Sequence, residues 1–163
     1  MKKIARLFIV CICFLCCIGF YRAGRNSQND DIKVYSFTGS NEMFAVLNGT
    51  VFLSDTEETF SGGDMLVKSD ELFLGVTSFS TTFYTMDGGE KRIILYNGIT
   101  ELIDSVAGWD RDLGIVSADD LFAVDEQGNI TGIEDNLYLE LCTVDRKGKE
   151  NTYQLLLELT EVT

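Results

Sequence analysis

Alternating apolar and polar positions dominate the chain beyond residue 31. In Leu137–Val144, Leu137, Leu139, Leu141 and Thr143 fall on one face, and Tyr138, Glu140, Cys142 and Val144 on the other. Thr152–Val162 repeats the pattern, with Tyr153, Leu155, Leu157 and Leu159 opposed to Gln154, Leu156, Glu158 and Thr160. A period of two is that of a half-buried strand, so these segments predict an amphipathic hairpin around the charged turn Asp145–Glu150. Leu72–Met86 sets Phe79, Thr81, Phe83 and Thr85 against Ser78, Ser80, Thr82 and Tyr84. It predicts a long strand, because Thr, Phe and Tyr suit a pleated surface better than a helix. Asp87-Gly88-Gly89 then turns the chain into a strand at Lys91–Tyr96.

Other segments are shorter or less regular. Ile32–Phe37 and Met65–Lys68 read as strands, with a turn region at Asp55–Gly63 between them and beyond Met43–Ser54. Met43–Ser54 is apolar but interrupted by Asn48-Gly49. That dipeptide marks either a hairpin or one long strand with a bulge at Gly49. Ile99–Ala107 fits a short helix or an extended crossover, Leu113–Val116 a brief strand, and Ala118–Val124 one helical turn or a short strand. Asp125–Asn129 is a turn. About seven to nine strands with regular turns and no βαβ rhythm predict a mainly β fold, a single antiparallel β-sandwich that is Ig-like in architecture.

The first 25 residues follow a different rule. Met1–Arg6 is basic, and Leu7–Phe20 then runs 14 residues without a charge. At ~1.5 Å per residue this helix spans about 21 Å, short of the roughly 30 Å hydrocarbon core. Extending it over Ile4–Tyr21, with Arg6 snorkelling, reaches about 27 Å. Signal peptidase wants small residues at −3 and −1; ending at Ala23 puts Tyr21 at −3, and ending at Gly19 puts Cys17 there. Cys11, Cys13, Cys16 and Cys17 follow Val10, Ile12, Leu15 and Cys16, none the small residue that lipoprotein processing prefers. The expectation is a hydrophobic helix retained as a single-pass signal-anchor at residues 1–25; cleavage and lipidation stay open. Asn26–Asp31 is a polar tether, and residues 32–163 form the β domain.

Charge divides at the same place. The chain carries 13 basic and 26 acidic residues, a net charge of −13. Lys2, Lys3, Arg6, Arg22 and Arg25 lie in the first 25 residues, which hold no acid. Positive charge beside an apolar run sets membrane orientation. The acidic remainder repels phosphate backbones and anionic lipid surfaces, which argues against nucleic-acid binding. The expected location is therefore the cell membrane, with residues 26–163 on the extracytoplasmic side.

Composition also removes chemistries. With no His, Ser-His-Asp and Cys-His catalysis and the His-containing zinc sites are excluded. Four of the five Cys lie in the leader, as apolar fillers or palmitoylation sites, without CxxC spacing. Cys142 alone in the body cannot form an intramolecular disulfide; it reads as a buried or half-buried strand residue.

Several motifs have both a bland and a sharper reading. Gly62-Gly63 and Gly88-Gly89 lack the GxxxxGK[ST] pattern of a phosphate loop and read as turns. Asp110/Asp112 and Asp119/Asp120 could form a hydrolytic carboxylate pair only across a cleft; solvated loops are the simpler reading. Asp125–Glu134 has Asp125, Gln127 and Asn129 at positions 1, 3 and 5 of a calcium loop, but Ile130 stands where an EF-hand needs Gly. Weak Ca²⁺ binding through Asp125, Asp135 or the Asp110/Asp112 pair is the alternative use of these acids. Asn48-Gly-Thr50 and Asn129-Ile-Thr131 match the N-glycosylation triplet. Trp109, Tyr84, Tyr96 and Phe122 are either core aromatics or a platform for a sugar or a partner.

Three stretches, Tyr35-Ser-Phe37-Thr-Gly39-Ser-Asn-Glu42, Asn48-Gly-Thr50 and Gly148-Lys-Glu-Asn-Thr-Tyr153, give residues 32–163 a resemblance. The layout resembles small exported or membrane-anchored proteins of Gram-positive bacteria, in which a leader precedes a tether and a β domain. That resemblance implies an extracytoplasmic β domain and transfers no catalytic residue. The functional expectation is a non-enzymatic binding module at the cell surface, anchored by its N-terminal helix, with a protein or cell-wall partner. The alternatives are an Asp/Glu-dependent hydrolase and a calcium-stabilised adhesion or sensing module. No catalytic, cofactor-binding or metal-binding residue is assigned, and no cofactor is implied.

Overall fold

A computed structural model describes residues 32–54, 56–100 and 110–162. The expected leader helix, the tether, most of the Ile99–Ala107 segment and Trp109 lie outside the described residues. Among the described residues, no helix is long and apolar enough to cross a membrane.

The fold is mainly β. Its strands are β1 (Lys33–Ser40), β2 (Phe44–Leu53), β3 (Glu58–Ser61), β4 (Asp64–Val67), β5 (Val76–Asp87), β6 (Glu90–Ile99), β7 (Asp110–Asp112), β8 (Ile115–Ala118), β9 (Ala123–Val124), β10 (Ile130–Thr131), β11 (Leu137–Asp145) and β12 (Glu150–Glu161). Among the described residues a single 3-10 turn, Asp70–Leu72, precedes β5 and is capped by Ser69, whose hydroxyl accepts from the Glu71 N–H. The predicted alternation holds where strands are long. Leu137, Leu139, Leu141 and Thr143 are buried along β11, as are Leu155 and Leu157 along β12. Asp87-Gly88-Gly89-Glu90 is a tight hairpin turn, with φ +57° at Gly88 and +92° at Gly89, the conformation that a two-residue hairpin loop needs.

Ten of the described strands form one antiparallel hydrogen-bonded sheet along the path β6-β5-β11-β12-β1-β2-β3-β8, with β4 on β2 and β7 on β4, while β9 and β10 pair separately. Because β12 pairs with both β11 and β1, the halves of the path are joined edge to edge. The sheet therefore encloses its core as a near-barrel, sandwich-like antiparallel sheet. Its ends approach each other without pairing. Arg111 on β7 sits 5.4 Å over the Phe79 ring of β5. A Cβ at Gly114 would lie 3.4 Å from Asn97 Nδ2 and 3.8 Å from Leu95, both on β6.

A line of small or left-handed residues bends three neighbouring strands together. β2 is one continuous strand that pairs with β3 through Thr50–Leu53 and with β4 through Phe44–Leu47. β3 and β4 thus act as one strand broken at Gly62-Gly63, and β8 and β7 as one broken at Leu113-Gly114. The breaks line up. Gly62 N–H donates to the Gly114 carbonyl and Leu113 N–H to the Gly63 carbonyl, each at 2.8 Å. Asn48 (φ +59°), Gly63 (φ +70°) and Gly114 (φ +92°) take the left-handed backbone that such a corner uses. So Asn48-Gly49 marks the bulged long strand, not a hairpin, and Gly62-Gly63 is a buried corner where a simple turn was expected.

Aromatic rings fill the inside of that corner. Phe37 stacks on Phe60 at 5.1 Å, and Phe83 meets Phe60 edge-on at 5.0 Å. Glycine lets them in: a Cβ at Gly49 would lie 2.1 Å from Phe37 Cε2, and one at Gly62 would lie 2.7 Å from Phe83 Cε2. Edge-to-face and offset contacts of this kind add to the hydrophobic burial of the rings.

Candidate functional site: the barrel mouth at Tyr35

Between β8 and β11 the chain crosses one end of the near-barrel, where β1 begins and β12 ends. Phe122 and Ile130 in this crossing are buried, and Phe122 lies 6.2 Å from Phe60. The Phe122 N–H donates to Glu58 Oε2 at 2.8 Å, which gives that buried carboxylate a partner. Arg92 Nη2 donates to the Asp120 carbonyl at 2.9 Å. Asn136 closes the crossing by pairing with both the N–H and the carbonyl of Met86, each at 3.0 Å.

β9 and β10 form a small hairpin in this crossing. Its turn is built on Asp125, whose Oδ1 accepts from the N–H groups of Gln127 (2.9 Å) and Asn129 (2.8 Å), while Asn129 Nδ2 donates to Oδ2 (2.9 Å). These bonds, those of Asn129 first, hold the Asp125 carboxyl below the ordinary carboxylate range. Lys33 reaches across from β1. Its ammonium donates to the Gln127 carbonyl at 2.7 Å and to Asn129 Oδ1.

A concave mouth of about 670 Å³ lies beside this hairpin, lined by Tyr35, Asp125, Asn129, Ile130, Thr131, Gly132, Glu134, Leu159 and Glu161. Such volumes, at the mouth of a barrel, are those of small-ligand sites. Tyr35 and Glu161 are neighbours across the β1–β12 ladder. Tyr35 is only 6% exposed, and its hydroxyl is buried without a hydrogen-bond partner. Burial chiefly, and then the carboxylates of Glu161, Asp125 and Glu134, push the phenol pKa up. The nearby Ile130 N–H acts in the opposite sense but does not reach hydrogen-bond geometry. Even a bond from it would leave the hydroxyl's own proton without an acceptor. The group therefore stays a protonated donor at neutral pH.

The residues singled out by pattern are scattered. Asp110, Asp112, Asp119 and Asp120 are exposed, none of them lines the mouth, and Asp112 Oδ1 accepts from the Gly114 N–H at 2.7 Å. Asp125 is committed to its own turn, and Asp135 lies just before β11 with φ +53°. Among the described residues no group of three or more acidic or Cys side chains is placed to hold a metal ion. The side-chain oxygen of Asn129, which a calcium loop would offer at position 5, accepts from the Lys33 ammonium, which also bonds the Gln127 carbonyl. Asn129 of the second glycosylation triplet spends its amide on Asp125 and Lys33. Asn48 of the first is exposed and donates to Asp64 Oδ2 at 2.9 Å. Tyr84 is buried against Tyr138, with ring centroids 5.4 Å apart, beneath the Lys91 ammonium. Phe122 is core and Tyr96 is 63% exposed, so these aromatics form no shared platform. Cys142 is a half-buried free thiol on β11.

The sequence reading missed Tyr35, Glu134 and Glu161. The available signal was slight: Tyr35 is a polar-tipped residue on the same face of β1 as Phe37, and both are buried. Comparison with protein-family models, curated proteins and solved structures gives no match to this chain.

Proposed function

We propose that the chain is a single-pass membrane-anchored protein whose β domain works on the extracytoplasmic side as a non-enzymatic binding module. The mouth at Tyr35 carries this reading: it joins a volume suited to a ligand with a buried donor that the protein leaves unmatched. The basic-apolar leader supports the placement, and the acidic body supports exclusion from anionic membrane surfaces. The finer architecture, an Ig-like sandwich led by a hydrophobic helix, belongs to the same proposal, since such domains bind through the loop end of a rigid sheet. The partner is a protein or a cell-wall polymer.

The test is photo-cross-linking in intact cells that make the full-length chain. A photoreactive residue at Thr131, exposed at the mouth, is compared with one at Thr152, exposed on the outer face of β12. The proposal expects an adduct from position 131 and none from position 152. No adduct from 131, or equal adducts from both, would contradict it.

A further inference from the structure

The chemistry of the mouth narrows the ligand. Glu134 and Glu161 are exposed at its rim, and neither carboxylate has a hydrogen-bond or ion-pair partner among the described residues. Asp125 contributes negative charge but has no free geometry, and the Lys33 ammonium beside it is already occupied. The open polarity is therefore two carboxylates at the rim and one phenolic donor in the floor, with Leu159 and Ile130 as the apolar wall. Carboxylates select a cation. The phenol selects a neutral oxygen, because its proton lacks an acceptor. A simple metal ion offers no acceptor for that proton, and a simple polyamine offers none either. A carboxylate or phosphate would satisfy the phenol but would be repelled by the rim.

We propose that this mouth binds a hydroxylated primary amine of the amino-sugar class, with its ammonium group at Glu134 and Glu161 and a ring or hydroxyl oxygen accepting from Tyr35. Leu159 and Ile130 meet the C–H face of the sugar. The Tyr35 hydroxyl lies beneath the surface, so contact requires the exposed rim side chains to shift, a change of the size commonly seen on binding. Leaving such a donor unmet costs stability, which a ligand oxygen recovers. The inference rests on the binding-module reading and adds the ligand's chemistry to it.

The experiment is calorimetric titration of the purified full-length chain in low salt with glucosamine, N-acetylglucosamine and putrescine. Glucosamine has both features, N-acetylglucosamine lacks the charge, and putrescine lacks the oxygen. Saturable binding of glucosamine, tighter than either comparison ligand, is expected. Y35F keeps the ring and removes the unmet donor, so it should fold at least as well as wild type and bind glucosamine about fivefold more weakly. E161Q should weaken binding roughly two- to fivefold, in a way that added salt erases. A tetramer of glucosamine run in parallel separates a polymer-borne sugar, which binds more tightly than the monomer, from a free one, which binds alike; both results retain the two contacts. Equal affinity of Y35F and wild type, or no binding of glucosamine, would overturn the ligand assignment. The module reading fails separately: a cross-link from Thr131 without amine binding removes only the ligand class, whereas loss of the cross-link removes the module.

Discussion

At Gly49 the missing side chain is what the neighbouring ring needs. Phe37 occupies the space where a Cβ would stand, 2.1 Å from its Cε2, and Phe37 in turn stacks on Phe60. Gly49→Ala should therefore destabilise the protein by about 1–3 kcal/mol, the usual cost of overpacking, read as a lower urea midpoint. Combined with Phe37→Leu, which vacates that space, the loss should be smaller than the two single losses added, because the pair is in contact. Additive losses would show that Gly49 serves only backbone flexibility. Residue-level legibility was uneven here. Asn48-Gly49 announced a special backbone, but whether the chain reverses or merely bends depends on what lies opposite, and Gly62-Gly63 is far along the chain. Tyr35 was silent because an inward Tyr looks like any core aromatic until its hydroxyl is traced to no partner.

At the scale of elements, one turn design appears twice. Asp125-Glu-Gln-Gly128-Asn129 and Asp145-Arg-Lys-Gly148-Lys149 each place Asp first and a left-handed Gly fourth (φ +74° and +77°). In each, the Asp Oδ1 accepts two backbone N–H groups: Gln127 and Asn129 in one, Lys147 (2.7 Å) and Lys149 (2.9 Å) in the other. These bonds hold both carboxyls below their ordinary pKa. A carboxylate depressed in the folded state adds stability that is fully present above its unfolded pKa of about 3.9 and is lost as pH falls through the lower folded value. The double variant D125N/D145N keeps an acceptor at each turn but removes the titration. Its urea midpoint should fall less than that of wild type between pH 5 and pH 3; an unchanged acid limb would contradict the assignment. The two turns and the long strands were legible because alternation and Asp–Gly spacing are local. β3, β4, β7, β8, β9 and β10 have two to four residues each. They are too short to show a period: β4 and part of β8 were legible from apolar residues at Met65–Lys68 and Leu113–Val116, whereas β3, inside the expected turn region Asp55–Gly63, and β7 are defined by tertiary pairing. Ala118–Val124 holds the last residue of β8 and the whole of β9, without the helical turn.

For the whole molecule, pattern and turn chemistry sufficed for an antiparallel β domain with one core, but not for its closure. The β12–β1 ladder joins segments at opposite ends of the body, and no local signal encodes so distant a pairing. The mouth depends on that ladder, since Tyr35 and Glu161 meet only across it. Charge acts at the same scale: in the proposed reading the basic leader sets sidedness, and charge does not choose the fold. The most direct test of the central claim, an anchored domain outside the cytoplasm, is labelling of intact cells making the full-length chain with a membrane-impermeant amine-reactive biotin, followed by an alkaline wash. Lys147 and Lys149 in the β11–β12 turn are exposed and suit the reagent. The account predicts biotin on these lysines without lysis, in protein that remains in the washed membrane pellet. Labelling only after lysis, or recovery of the chain in the soluble cytosolic fraction, would contradict it.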